Sequence, residues 1–289
     1  MAGVGRALDW HADPVVILGL CALGAAWWAG LQRVRRRGGA VSADRRWAFA
    51  AAYAVLVLAL LSPLSTVSEE RFSAHMVQHL LLLYVAAPLL ALCAPVTLAL
   101  QVATPRTRQG VLLPILHSRA LRAVTHPVVA FTLFAAVMYG THFSAVYDAA
   151  LRSSAVHGAE HLAYLAAASL FWWPVVRRDP VPGTFPWPAR LLYLVVAFPL
   201  QSFLGLAIYS SDRVLYAGYL GLGSRAEALA DQQLAGVIMW VGGDLLTLTA
   251  IGIGIGAWMR HEDRAAVRED ARLDAEATAR RPADAEEPA

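Results

Sequence analysis

Apolar stretches of about 20 residues recur along the chain, and they limit what it can fold into more than any other feature. They lie at 14–32, 46–64, 75–100, 126–147, 157–176, 190–210 and 233–258. A helix rises about 1.5 Å per residue, so each is long enough to cross the roughly 30 Å hydrocarbon layer of a bilayer. Composition agrees. Only 16% of residues are charged and 58% are hydrophobic, against roughly 25% charged in a soluble domain. The prediction is an all-α, polytopic membrane helix bundle of seven transmembrane helices, residues 1–259, followed by a charged cytosolic tail, residues 260–289, that is at least partly disordered.

Orientation follows from the arginines, because basic loops stay on the cytosolic side. All 24 basic residues are arginine. Nineteen of them fall in the connections 33–46, 101–125 and 177–190 and in the tail. The other five, Arg6, Arg71, Arg152, Arg213 and Arg225, fall on the opposite side. This places the N-terminus outside and the C-terminus in the cytosol, consistent with an odd number of spans. The first apolar run follows a segment without the layout of a cleavable signal and is expected to be retained. The basic residues form no stripe on a soluble fold, so no nucleic-acid partner is expected. Cys21 and Cys93 both sit inside apolar runs, which excludes a disulfide framework. Trp27, Trp28, Trp172, Trp173, Trp187 and Trp258 fall near the predicted inner boundary and read as an aromatic belt. Pro88 and Pro95 are expected to kink the third span.

On this map six of the nine histidines gather at the outer boundary. His11 precedes the first span. His75 and His79 open the third, His142 closes the fourth, and His157 and His161 open the fifth. His117, His126 and His261 lie on the cytosolic side. Histidines four apart share a helix face. In the segment HGAEH, His157, Glu160 and His161 share one as well. An ionisable group in a span is costly and is usually partnered or functional. Glu160 could therefore ligate a metal or orient a histidine that does. Met76 sits between His75 and His79, and Met138 lies one turn from His142. Imidazole with thioether suits copper(I), although methionine in a span is also ordinary packing. Asp231 precedes the last apolar run at the same depth. It could be a ligand, an orienter, or the N-cap of a helix. Asp244, deep in that run, is either functional or an interhelical hydrogen-bond partner.

The run FSAHMVQHLLLLYVAAPLLALCAPVTLAL and the segment DQQLAGVIMW resemble the bacterial cytochrome c oxidase assembly protein family, the CtaG-like membrane type found with caa-type oxidases. The resemblance covers roughly residues 45–260, and its specific positions are His75, Met76, Gln78, His79, Asp231, Gln232 and Gln233. It implies a non-enzymatic maturation factor in the bacterial plasma membrane. Such a factor would bind copper at an outer-face cluster and deliver it to cytochrome c oxidase subunits, with other copper chaperones as further partners. Topology extends the metal set to His142, His157, His161 and Glu160. Gly242-Gly243-Asp244 and the tail lie outside the resemblance. Two other functions stay open. HGAEH matches the inverted H-x-x-E-H pattern, so an intramembrane zinc hydrolase could use Glu160 as general base and His79 as third ligand. A pair such as His79 and His161 could instead hold haem for electron transfer.

Overall fold

The computed structural model describes residues 10, 13–144, 149–150, 152–180, 182–216, 218–219 and 223–279. His11 and the end of the predicted tail, 280–289, lie outside the described residues. Every regular element among the described residues is helical. In order they are α1 (Pro14–Arg36), α2 (Ala43–Leu60), α3 (Pro63–Glu70), α4 (Phe72–Leu80, continuing through a π-helical Leu81–Ala86 and through Ala87–Leu92) and α5 (Pro95–Val102). Short helical turns from Pro105 to Val124 follow. Then come α6 (Pro127–His142), α7 (Ser154–Val176), α8 (Trp187–Tyr209), α9 (Arg225–Val237, then a π-helical Ile238–Gly242) and α10 (Gly243–Ala279).

Among the described residues, four helices are long and apolar enough to cross a membrane: Pro14–Arg36, Phe72–Val102, Trp187–Tyr209 and Arg225–Ala277. A fifth is added if α2 and α3, bent by 41° at Ser62-Pro63, form one span. The sequence predicts seven. Two segments account for the difference. Helix α6 has 16 residues and ends at His142. Helix α7 has the length but carries His157, Glu160 and His161 in its first turns, which lowers its hydropathy.

Chain features set the helix ends. Asp13 caps α1, accepting from the amides of Val15 and Val16 at 2.7 and 3.2 Å, with Pro14 in the first turn. Ser224 and Glu227 form a reciprocal capping box on α9. In the π-helical part of α4, an i→i+5 pattern aims the Leu83 carbonyl at Pro88, which has no N–H. The Trp172 indole donates to that carbonyl instead, at 2.8 Å. The break at Ala94-Pro95 is sharper, with Ala94 in the left-handed region at φ 52°. Buried Arg45 there donates to the carbonyls of Cys93 and Ala94 at 2.9 and 3.0 Å. Asp179 accepts from the amides of Val96 and Thr97 at 3.1 and 2.7 Å. A cation thus meets the carbonyl end of one helix and an anion the amide end of the next, as their dipoles favour. So Pro88 bends the hydrogen-bond pattern, and Pro95 ends the helix.

Residues 1–247 form one compact unit and 248–289 another. In the first, Leu20, Leu56, Ala59, Leu82 and Ala86 pack where α1, α2 and α4 meet. Trp27, Val34, Val41, Cys93 and Leu98 form a second cluster, with Trp27 stacked on Phe49 at 4.3 Å. Trp27 and Trp172 are therefore core residues, not members of an aromatic belt. Each faces a neighbouring helix that supplies a ring or a carbonyl, whereas Trp28 is exposed. Helices α8 and α9 approach through glycine. A Cβ on Gly236 would lie 2.6 Å from the Tyr209 amide nitrogen and 2.8 Å from the Gly205 carbonyl oxygen. Small residues allow such backbone approach where lipid offers no hydrophobic drive. In the second unit α10 stays helical through Ala279, over part of the stretch the sequence reads as a disordered tail. Arg272 pairs there with Glu269 and Glu276 at 2.6 and 3.8 Å, the i, i+3 and i, i+4 partners that support exposed helices.

Candidate metal centre

Three helices bring five histidines together at one end of the first unit. On α4, the i, i+4 spacing holds the His75 and His79 rings 4.1 Å apart. On α7 it holds His157 and His161 at 4.3 Å. The two pairs face each other. His75 lies 5.4 Å from His157, and His79 lies 5.8 Å from His161. His142, at the end of α6, is 6.1 Å from His79. His75, His79 and Glu160 each present one ligand atom, all within 4.8 Å of one another, and all three residues are buried.

Both ring nitrogens of His79, both carboxylate oxygens of Glu160 and Nε2 of His161 are buried without a hydrogen-bond partner in the structure. Leaving a buried polar group unsatisfied costs about 1–3 kcal/mol, and more for a charged one. A cation bound between these atoms would offset that cost. Two further residues steady the set. His142 Nδ1 lies 2.7 Å from the Met138 carbonyl, so it donates there and Nε2 carries the lone pair. The Tyr164 hydroxyl bonds Thr141 and lies 3.2 Å from the same Nδ1. The Tyr164 ring is 4.4 Å from His79, and the residue is fully buried.

The other predicted residues take different places. Asp231 stands in the middle of α9, so it is not that helix's N-cap; Ser224 is. Its carboxylate accepts from Ser73 Oγ at 2.5 Å and from the Ser73 amide at 3.3 Å. It therefore caps the first turn of α4, two residues before His75. Met76 is buried on the α4 stripe that includes Ser73 and Leu80 and meets α9. On the same helix Met76 stands three residues before His79. Gln78 donates to the Ala59 carbonyl at 2.7 Å and ties α4 to the end of α2. Gln232 holds the loop before α9, accepting from the Leu215 amide at 2.7 Å and donating to the Arg213 carbonyl at 3.0 Å. Gln233 is half-buried.

Cys93 donates to Leu90 O at 2.9 Å, in the cluster with Trp27 and Val34. Asp244 accepts from Ser202 Oγ at 2.9 and 3.0 Å, an interhelical bond of the kind the sequence left open. Among the described residues the His75–His79–Glu160 group is the one set of three candidate ligands close enough to share an ion. Tyr164 and Thr141 escaped the sequence reading. Tyr164 follows Glu160 and His161 at i+4 and i+3, so the spacing that grouped those two would have found it.

Comparison with known proteins bears on this geometry. The chain is 31% identical over 277 residues to an uncharacterized protein of Mycobacterium bovis and, equally, to one of Mycobacterium tuberculosis. It is 30% identical over 275 residues to an uncharacterized protein of Mycobacterium leprae. These alignments cover 92% of the chain but only 42% of each relative. The chain thus spans less than half the length of the curated relatives it matches. No solved structure matches it. The family of cytochrome c oxidase caa3 assembly factors matches residues 25–261, which takes in α2 to α9, the histidine-bearing helices and the Asp231 cap. The chain therefore belongs to the cytochrome c oxidase caa3 assembly factor family.

Proposed function

We propose that this assembly factor binds copper at the histidine end of its bundle and delivers it to a subunit of a haem–copper cytochrome c oxidase. Copper is cargo in this reading, and no turnover chemistry is required. The observation that carries it is the convergence of His75, His79 and Glu160 within 4.8 Å, flanked by His142, His157 and His161. The donors are imidazole nitrogens and one carboxylate. This nitrogen–oxygen set suits copper(II) or zinc, whereas a thioether ligand would favour copper(I). Met138 Sγ is not needed; its carbonyl does the orienting.

The reading includes seven spans in a bacterial plasma membrane, with the N-terminus and the histidine end outside and the arginine-rich end in the cytosol. Helices α6 and α7 then cross despite short length or polar first turns, because their polar residues face the bundle interior. Delivery from the outer end would let a partner subunit or another copper chaperone reach the site.

A zinc-dependent hydrolase is the second reading, since two histidines and a glutamate are a known catalytic zinc set. It differs from the one drawn from HGAEH, because here Glu160 would be a ligand beside His75 and His79 and not the general base. The crowding around His79, with His75 at 4.1 Å and Tyr164 at 4.4 Å, argues against a porphyrin between the helices.

The test is a paired measurement. His79→Ala and Glu160→Gln should lower copper in the purified protein and oxidase activity in the cell together. Wild-type levels of both would reject the proposal. Zinc-dependent product release abolished by Glu160→Gln would favour the second reading.

A further inference from the structure

The five histidines are not equally placed. A cavity of about 240 Å³ opens between α3 and the start of α7. Ser65, Ser68, Ser154, His157, Gly158 and His161 line it, with Asp13 and Glu69 among the residues that complete the wall. His75, His79 and Glu160 do not reach it, and they are 1%, 3% and 4% exposed. The cluster is therefore layered, with a pair that touches the cavity and a set sealed behind that pair.

We infer that His157 and His161 are the exchange pair of this centre: the cation enters and leaves through the hydroxyl-lined cavity between α3 and α7, and His75, His79 and Glu160 hold it behind them. This rests on the cargo reading above and adds the route and the order of ligands.

First, the lining suits a partly hydrated cation. Serine hydroxyls and the two carboxylates of Asp13 and Glu69 offer oxygen acceptors along the wall, against one cation there, Arg152, and water takes about 30 Å³, so the cavity has room for several molecules. Second, the layers lie close enough for ligand exchange. Imidazole–metal bonds are about 2.0–2.1 Å. The His79 and His161 rings lie 5.8 Å apart at 89° to each other, within the reach of two imidazoles that share one ion, so a ring of each layer can bond it at once. The cation then steps inward without ever being stripped of ligands. Third, His161 Nε2 is buried and without a hydrogen-bond partner, so it keeps a lone pair for the passing ion.

Gly158 provides a plug. A Cβ built there meets no atom within 4 Å, and the residue lines the cavity, so a side chain can start from this position without a clash at its Cβ and narrow the route. Gly140 on α6 is equally open but does not line the cavity, and it serves as the control.

The experiment uses the full chain in lipid nanodiscs, with the exposed Cys21 changed to Ser. His161→Cys is reacted with a small, positively charged, membrane-impermeant methanethiosulfonate. Adding Gly158→Phe should slow the reaction about tenfold or more, while Gly140→Phe leaves it unchanged. No labelling of His161→Cys, or equal rates with and without the plug, overturns the route. In protein with all histidines intact, Gly158→Phe should keep the copper content of wild type and slow copper(II) release to a chelator by a similar factor. Copper(II) release at the wild-type rate would also overturn the route. If wild type holds no copper, the cargo reading fails, while the labelling result still decides whether the route exists.

Discussion

Removing the Asp231 carboxylate separates a positioning role from a ligand role. The Ser73 hydroxyl donates to it at 2.5 Å, and the Ser73 amide reaches it at 3.3 Å. A hydrogen bond to a charged group contributes about 1.5–3 kcal/mol, and loss of an N-cap costs about 0.5–2 kcal/mol. The amide contact is long, and the site is only partly buried. Asp231→Ala should therefore weaken the first turn of α4 by about 2 kcal/mol, which is roughly 30-fold in the local opening equilibrium. Hydrogen exchange at the amides from Ser73 to His75 should speed up by that factor, while exchange in α7 stays as in wild type. At saturating copper the variant should still bind the wild-type amount, because His75, His79 and Glu160 are intact. Loss of copper to the level of His79→Ala, with no change in exchange at α4, would refute the placement of Asp231 as a cap.

Three further outcomes follow from the packing. Tyr164→Phe removes the hydroxyl that meets Thr141 and His142; loss of an outer-shell partner costs about 10–100-fold in metal affinity, so a copper titration should show at least the lower figure. Gly236→Ala forces a Cβ to within 2.6 Å of the Tyr209 amide nitrogen. It should destabilise the α8–α9 contact by about 1–3 kcal/mol, seen as an earlier thermal unfolding transition in detergent. Arg45→Met uncovers the carbonyls of Cys93 and Ala94 at the α4–α5 break. At about 1–3 kcal/mol for each buried acceptor left alone, chymotrypsin should cut near this break, after Leu92 or Leu98, faster than in wild type, with copper content unchanged.

The helical class and the grouping of histidines could be read from the sequence because both depend on short-range periodicity. Apolar runs define candidate helices, and i, i+4 spacing puts two imidazoles on one side of each. The facing of α4 against α7 could be expected only from shared depth, and the structure supplies the distances. What the sequence concealed were relations between distant segments. Asp231 looks like the start of its own helix, but it caps a helix 158 positions away in sequence. Met76 stands between two histidines in sequence, and the positions it shares a stripe with, Ser73 and Leu80, are the ones that meet α9. Arg45 counts in the sequence only among the arginines of the 33–46 connection, and nothing there singles out Asp179, yet each covers one side of the break at Ala94. The span count differs for a related reason. The groups that build the centre, on α6 and α7, are the ones that shorten or dilute those apolar runs.

The central claim is most directly tested by copper per chain in protein purified from cells, compared between wild type and His79→Ala. Stoichiometric copper in wild type, lost in His79→Ala while the thermal stability of the apoprotein holds, is the predicted result. Copper retained in His79→Ala, or absent from wild type supplied with copper, would contradict the account.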